Sequence, residues 1–545
     1  MISPRGLSVE RFGMEEKMEE KKDGRRRLSG EGWRRYIRKF NENDEETIVQ
    51  TVPDERAEAW IEREAPFFEC PAPVIEETWY FRWWVLRKHI KETAGGRIIT
   101  EFLPRVQWAG PCNSINSADG HHIAEATWLR KDRSLVKEYI VFWLRGEGDE
   151  TSYSSWIADA VYRYALAAGE EAFAVGLLND LVSFYEKVEA SNMTKYGLFW
   201  SYDDRDAMEM SISGSGLRPT LNSYMCANAA AIAKIADWAG EKELRERFEK
   251  KAETLKSLIL KYLWDEKARF FKVIPLAARE DEADAFSFEE IPAERNVREE
   301  IGYIPWCFSI PDKRHDGAWE YLKREDGFRA PFGITTAERS HPLYRNTRSP
   351  HECQWNGPVW PYATTQTLDG MIRLLQERKT ETVSREDFLE QLRIYAESHQ
   401  RIREDGKRVN WLDENLDPET GEWLARKILQ GWGWPEEKGG YERGKDYNHS
   451  AFCDLVIRGL CGVCPEEGNV LVIDPLLPEE AWDYFLLEGL PCMGHFLTIV
   501  YDRDGSRYEK GSGFWVEEDG QVLAWLEKLG KLRITLEGKI GAQAL

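Results

Sequence analysis

The sequence predicts a mainly α-helical fold, its helices paired into a closed toroid or a solenoid, followed by a small β-rich domain. Two observations carry this. From about residue 73 to 464, long stretches repeat their apolar residues every three or four positions, with no alternating strand run among them. After Pro465 the pattern switches to short β-rich runs, with Asp-Gly pairs as turn signals.

Taken in order, residues 1–65 are highly charged and weakly periodic, and read as an arm that is disordered first and helical later. Helical patterns follow at 73–92, 117–146, 154–190, 219–263, 352–378, 384–403 and 448–463, several long enough for two helices. In one of them Leu244, Phe248, Ala252, Leu255, Ile259 and Tyr262 share a face; another opens with Ser384 and Asp387 at capping-box spacing. Successive hairpins without a fixed-period repeat favour the toroid over the solenoid. The helical unit is expected over 66–465. Runs at 470–474, 496–502, 514–516, 522–526 and 532–536 then make a β-domain over 466–545, with a supporting role.

A formal charge of -22 disfavours nucleic acid and anionic membrane as partners, because phosphate contacts need clustered Lys and Arg. No apolar stretch is long enough for a signal peptide or a membrane span, and nine scattered cysteines suit free thiols, so a cytoplasmic location is expected. Cys461 and Cys464 form a CxxC with no second ligand pair, and His121, His122 and Glu125 lack a third ligand at useful spacing; no metal or cofactor is expected. His122 reads instead as a polar residue lining the mouth of the helical unit. Trp, at 23 residues, is the unusual count, and fits a large core or a site that stacks on sugar rings.

The long, acidic, Trp-rich connections are where chemistry belongs. Hydrolysis of a glycosidic bond needs one protonated carboxyl group and one carboxylate. One loop supplies Asp203, Asp204, Asp206 and Glu209 beside Arg205, with Trp200, Tyr202 and Met208 interleaved. Such crowding shifts pKa values apart. A second loop supplies Asp413, Glu414, Asp417, Glu419 and Glu422 around an Asp-Pro turn. Between them, WNGPVWP at 355–361 offers Trp355 and Trp360 for stacking and the Asn356 amide for sugar hydroxyls. Tyr447 and His449 are further candidates to complete a pocket.

WNGPVWP resembles the W-R-G-P-hydrophobic-W signature of glycoside hydrolase family 63 and, more distantly, a segment of the trehalases. ENLDPETGE at 414–422 resembles that family's E-x-Y-x-P-x-T-G-E segment; Arg205 and Asp206 followed by LNSY at 221–224 are similar to the segment before its L-N-x-Y; and APFG at 330–333 with Tyr344 agrees in order. The similarity spans about 150–465. It implies an (α/α)6 barrel, inversion of configuration and no organic cofactor, with Asp206 as general acid and Glu414 as general base. Asp204 and Asp413 are their reserves. Arg205, Glu209, Trp156, Asp159, Asn222 and Asp413 are expected to contact the sugar. Asn356 stands where the family usually has Arg, and WIAD at 156–159 lacks the second Trp of the family's W-x-W-D. The expected partner is a small neutral carbohydrate, cleaved exo as an α-glucoside or α-mannoside. The alternatives are a β-L-arabinofuranosidase or trehalase-like enzyme, a sugar phosphorylase or epimerase, and a non-catalytic sugar-binding protein. Oligomeric state is not legible.

Overall fold

The computed structural model describes residues 30–281, 286–346 and 351–536. The segment expected to be disordered, at the start of the arm, lies outside the described residues. The rest of the arm carries helices Gly30–Asn43 and Ala57–Glu64. In the first, Trp33, Tyr36, Ile37 and Phe40 follow one another at helical spacing and are all buried, Phe40 meeting Phe81 at 5.3 Å and Trp84 at 5.9 Å. That apolar stripe is the periodicity hidden by the surrounding charge, and it docks the arm on the helix Pro73–Lys88.

The protein is mainly helical, with small sheets. Helix Pro219–Trp238 opens on Pro at its first position and is buried nearly all round; Ala at 227, 229, 231, 233 and 236 lets neighbours approach closely. Helix Lys242–Tyr262 returns against it and buries Phe248, Leu255 and Ile259, three of the six residues of the expected face, while the other three pack at its margin. The Ser384 capping box forms as expected: its hydroxyl accepts from the Asp387 amide, and the Asp387 carboxylate accepts from the Ser384 amide. Helix Asp119–Ala126 packs on Ile157–Ala168, that on Pro219–Trp238, and that on Ile304–Cys307. The last packs on Pro361–Glu377, which meets Phe452–Leu455, and Phe452–Leu455 touches Asp119–Ala126. Residues 352–360, expected to begin a helix, are irregular, with bends and with bridging at Val359 alone, and the helix starts only at Pro361.

The largest sheet joins, in order, Phe67–Glu69, Tyr484–Cys492, His495–Asp502, Gly513–Glu518 and Gln521–Leu526, all antiparallel. A second sheet joins Val463–Glu466, Val470–Ile473 and Leu532–Thr535. The expected strands are present, and three more were hidden, Val463–Glu466 among them because it continues a helical pattern. Tyr484–Cys492 buries residues on both faces and so does not alternate, and Phe67–Glu69 comes from the other end of the chain. Gly489, at φ +72°, forms the bulge in the longest strand. Among the described residues, no helix is long and apolar enough to cross a membrane.

Candidate active site

The first acidic loop is held by a short sheet in which Trp200–Ser201 pairs with Gly216–Leu217. Its 3-10 turn Asp204–Asp206 ends at Ala207, which takes a left-handed φ of +58°, and the chain reverses there. The reversal gives the acids opposite fates. Asp206 points inward: one oxygen accepts from Ser154 Oγ at 2.5 Å and Ser201 Oγ at 2.9 Å, the other from Arg218 Nε at 2.5 Å, and both members of the ion pair are fully buried. Glu209, three residues on, lines a cavity of about 150 Å³.

That cavity collects groups from distant parts of the chain. Glu101, Tyr153 and Glu209 face Trp355, Trp360, Tyr362, Tyr447 and His449, with Trp108, Cys353, Lys438 and Arg443 completing the wall. Trp355 and Trp360 stack face to face at 4.3 Å. Glu414 stands behind this wall: one oxygen is ion-paired with Arg443, and the other lies 3.4 Å from the Cys353 thiol. Arg443 is itself buried in an aromatic box, its guanidinium 4.7 Å from the Phe102 ring, 5.0 Å from Trp108 and 5.4 Å from Tyr447. The 413–417 segment is fixed by bridges from Leu416 to Val359 and Trp423, which tie the second acidic loop to the WNGPVWP loop.

Burial pushes the Glu209 carboxyl up to about 8, with the charges of Glu414, Asp204 and Glu101 adding to it. Burial likewise pushes Glu414 up to about 7, against the pull of Arg443. Glu101, which accepts a hydrogen bond from the Tyr447 hydroxyl, is pushed up to about 8 by burial. A pocket-lining carboxyl and a second one just behind the wall, one on each acidic loop and both raised toward neutrality, are what acid and base work at a glycosidic bond requires.

The family model for the mannosylglycerate hydrolase MGH1-like glycoside hydrolase domain matches residues 111–450. The chain belongs to this family. A solved structure named sialidase is 37% identical with a TM-score of 0.83, the match covering 93% of this chain and 45% of that one, so the chain spans under half of that protein's length. A glycoside hydrolase family 63 mannosylglycerate hydrolase from Thermus thermophilus is 12% identical with a TM-score of 0.45, over 69% of this chain and 98% of that one. A family 78 rhamnosidase of Bacillus sp. GL1 is 13% identical with a TM-score of 0.49, over 81% and 40%.

Within this MGH1-like domain the expected site residues divide. Glu209, Trp355, Trp360, Tyr447 and His449 line the pocket, and Glu414 stands at its wall. Asp413 serves Glu414 from behind: it accepts from the Glu414 amide at 2.9 Å and from Trp411 Nε1 at 3.1 Å. Asp206 does not line the pocket, for the reason given above. Trp156 and Asp159 line a different cavity, where Asp159 pairs with Arg163 at 2.6 Å. His122 is a packing residue, bonded to the Tyr139 hydroxyl at 2.7 Å and the Asn448 carbonyl at 2.5 Å. Asn222 clamps the backbone of Phe199 on both sides at 2.8 Å, and the Asn356 amide donates to the Asn346 carbonyl at 3.3 Å. Arg205 and Asp204 are exposed; Arg205 lies 5.4 Å from the ring of Tyr153. Glu125 caps the start of the helix Phe452–Leu455 through the amides of Cys453 and Asp454.

Several pocket residues escaped the sequence reading, among them Glu101, Trp108, Tyr153, Lys438 and Arg443. Glu101 was the most findable, a single acid between the apolar runs at 98–99 and 102–103. Gly444, at φ +81°, shows how tightly the site is set: a Cβ there would fall 1.8 Å from Asp413 Oδ1. Gly444→Ala is expected to displace Asp413 and Glu414 and lower kcat/KM about 100-fold in a folded protein. Steady-state kinetics beside circular dichroism checks this.

Proposed function

We propose that this domain is an inverting, exo-acting glycoside hydrolase for a neutral glycoside, with α-glucosides and α-mannosides first among substrates. Glu209 protonates the leaving oxygen, and Glu414 takes the proton of the attacking water. The observation that carries this reading is the pairing of a pocket-facing carboxyl that burial keeps protonated with a second one held beside Arg443. Asp206 shares a loop with Glu209 but is not among the residues that line the cavity, and is held by Arg218 instead. The six helices that pack in sequence, beginning with Asp119–Ala126 and ending with Phe452–Leu455, read as the inner ring of an (α/α)6 toroid. The pocket lies at the beginnings of several of them. Nine free thiols are in keeping with a cytoplasmic protein.

The acid must be protonated and the base ionised, so activity falls as pH rises through the value for Glu209 and as it drops through that for Glu414. With these at about 8 and about 7, kcat/KM is expected to follow a bell with its maximum between them. A pH series on an aryl glycoside measures both limbs, and an alkaline limb lost in Glu209→Gln assigns it. A panel of aryl glycosides and small disaccharides identifies the sugar. Proton NMR of the first-formed product then decides the stereochemistry: the inverted anomer is expected, and a retained one rejects the water-activating role of Glu414.

A further inference from the structure

A second, more enclosed cavity of about 580 Å³ lies apart from the pocket above. His121 and Trp156 line it, and their rings contact Tyr362, which lines the active pocket, at 5.0 and 6.5 Å. Three helices present an Asp and, one turn later, an Arg to this space: Asp159 and Arg163, Asp369 and Arg373, Asp454 and Arg458. The pairing is uneven. Arg163 takes Asp159 at 2.6 Å and Asp369 at 3.2 Å; Arg458 takes Asp369 at 2.6 Å and Asp454 at 3.0 Å. All three aspartates are thereby spent on two arginines. Arg373 has no hydrogen bond or ion pair among the described residues, and its Nε is buried.

A guanidinium cannot escape this by losing its proton, and a partly desolvated cation without a hydrogen-bonded partner is unfavourable. Its fork of N–H groups matches the two oxygens of a carboxylate or phosphate. Arg163 and Arg458 repel it and Asp369 attracts it without bonding it, so its donors are left for an incoming anion. The acids at the rim are themselves engaged: Glu466 with Arg533, Glu467 with Lys234 and the Tyr162 hydroxyl. The volume lies in the range of small-molecule sites. Arg458 stands on a π-helical turn, Val456–Leu460, a distortion that recurs at functional sites.

We propose that this cavity is a second binding site, for a small oxyanion, a carboxylate or phosphate carried free or on a sugar-sized body, gripped by Arg373. Calorimetric titration of the full chain with inorganic phosphate, acetate and glucose monophosphate tests it. Saturable one-site binding to the unmodified protein is expected, tightest for the probe that best fills the space. Arg373→Met is expected to weaken it by about tenfold or more, and Arg373→Lys, which keeps the charge without the fork, by less. Preference for acetate or phosphate tells the carboxylate from the phosphate source. Absence of saturable binding to the unmodified protein, or binding undiminished in a folded Arg373→Met, overturns the proposal. The first of these arms needs no variant.

Discussion

Glu209→Gln is expected to lower kcat by about 10²–10⁴-fold on glycosides with poor leaving groups, with little change in KM. The amide keeps the shape and hydrogen bonding of the carboxyl but has no proton to give. The loss should shrink steeply on activated aryl glycosides, whose leaving phenolate needs no protonation. Glu414→Gln should instead lower kcat on both kinds of substrate, because water must be activated in either case. This contrast separates the two roles more sharply than the size of either effect. Glu209 is placed for the first role by the pocket wall it forms and by the burial that holds its proton near neutral pH. A Glu209→Gln enzyme with full activity on poor leaving groups would remove it from the mechanism.

Much of this arrangement could be read from the residues alone, to the resolution of a loop. Parts of both acidic loops and of the WNGPVWP loop come together around one cavity. What composition could not specify was which acid lines the cavity. The choice between Asp206 and Glu209 is made by Ala207, a residue with no sequence preference for the left-handed φ it adopts. Arg443 was invisible for another reason: its box draws Phe102 and Trp108 from one end of the chain and Tyr447 from the other, and only the closed fold unites them. The same holds for the strand Phe67–Glu69, which pairs with Tyr484–Cys492 across most of the sequence. Local signals fared better. The Ser384 cap and the apolar face of Lys242–Tyr262 depend on residues three or four apart, and both are present. Trp156 and Asp159 show the limit of a motif read without its helix phase, since they turn to the second cavity.

With Glu209 proposed as the acid, Asp206 is expected to act on stability, and a stability measurement tests this. Its ion pair with Arg218 is fully buried, and Ser154 and Ser201 complete its hydrogen bonding. Removing one member of such a pair leaves an uncompensated buried charge, which costs about 3–5 kcal/mol. Arg218→Met and Asp206→Asn are therefore both expected to destabilise the protein, read as a lower urea midpoint at an unchanged slope. Arg218 also donates to the Gly214 carbonyl at 2.6 Å, so its loss should be the larger. The Asp206→Leu, Arg218→Met double variant should recover part of the cost, because no charge is then stranded. The folded fraction of Asp206→Asn should turn over substrate within a few-fold of the unmodified rate. If instead that variant keeps its urea midpoint and loses turnover, the proton donor is Asp206, and Glu209 becomes a wall of the pocket.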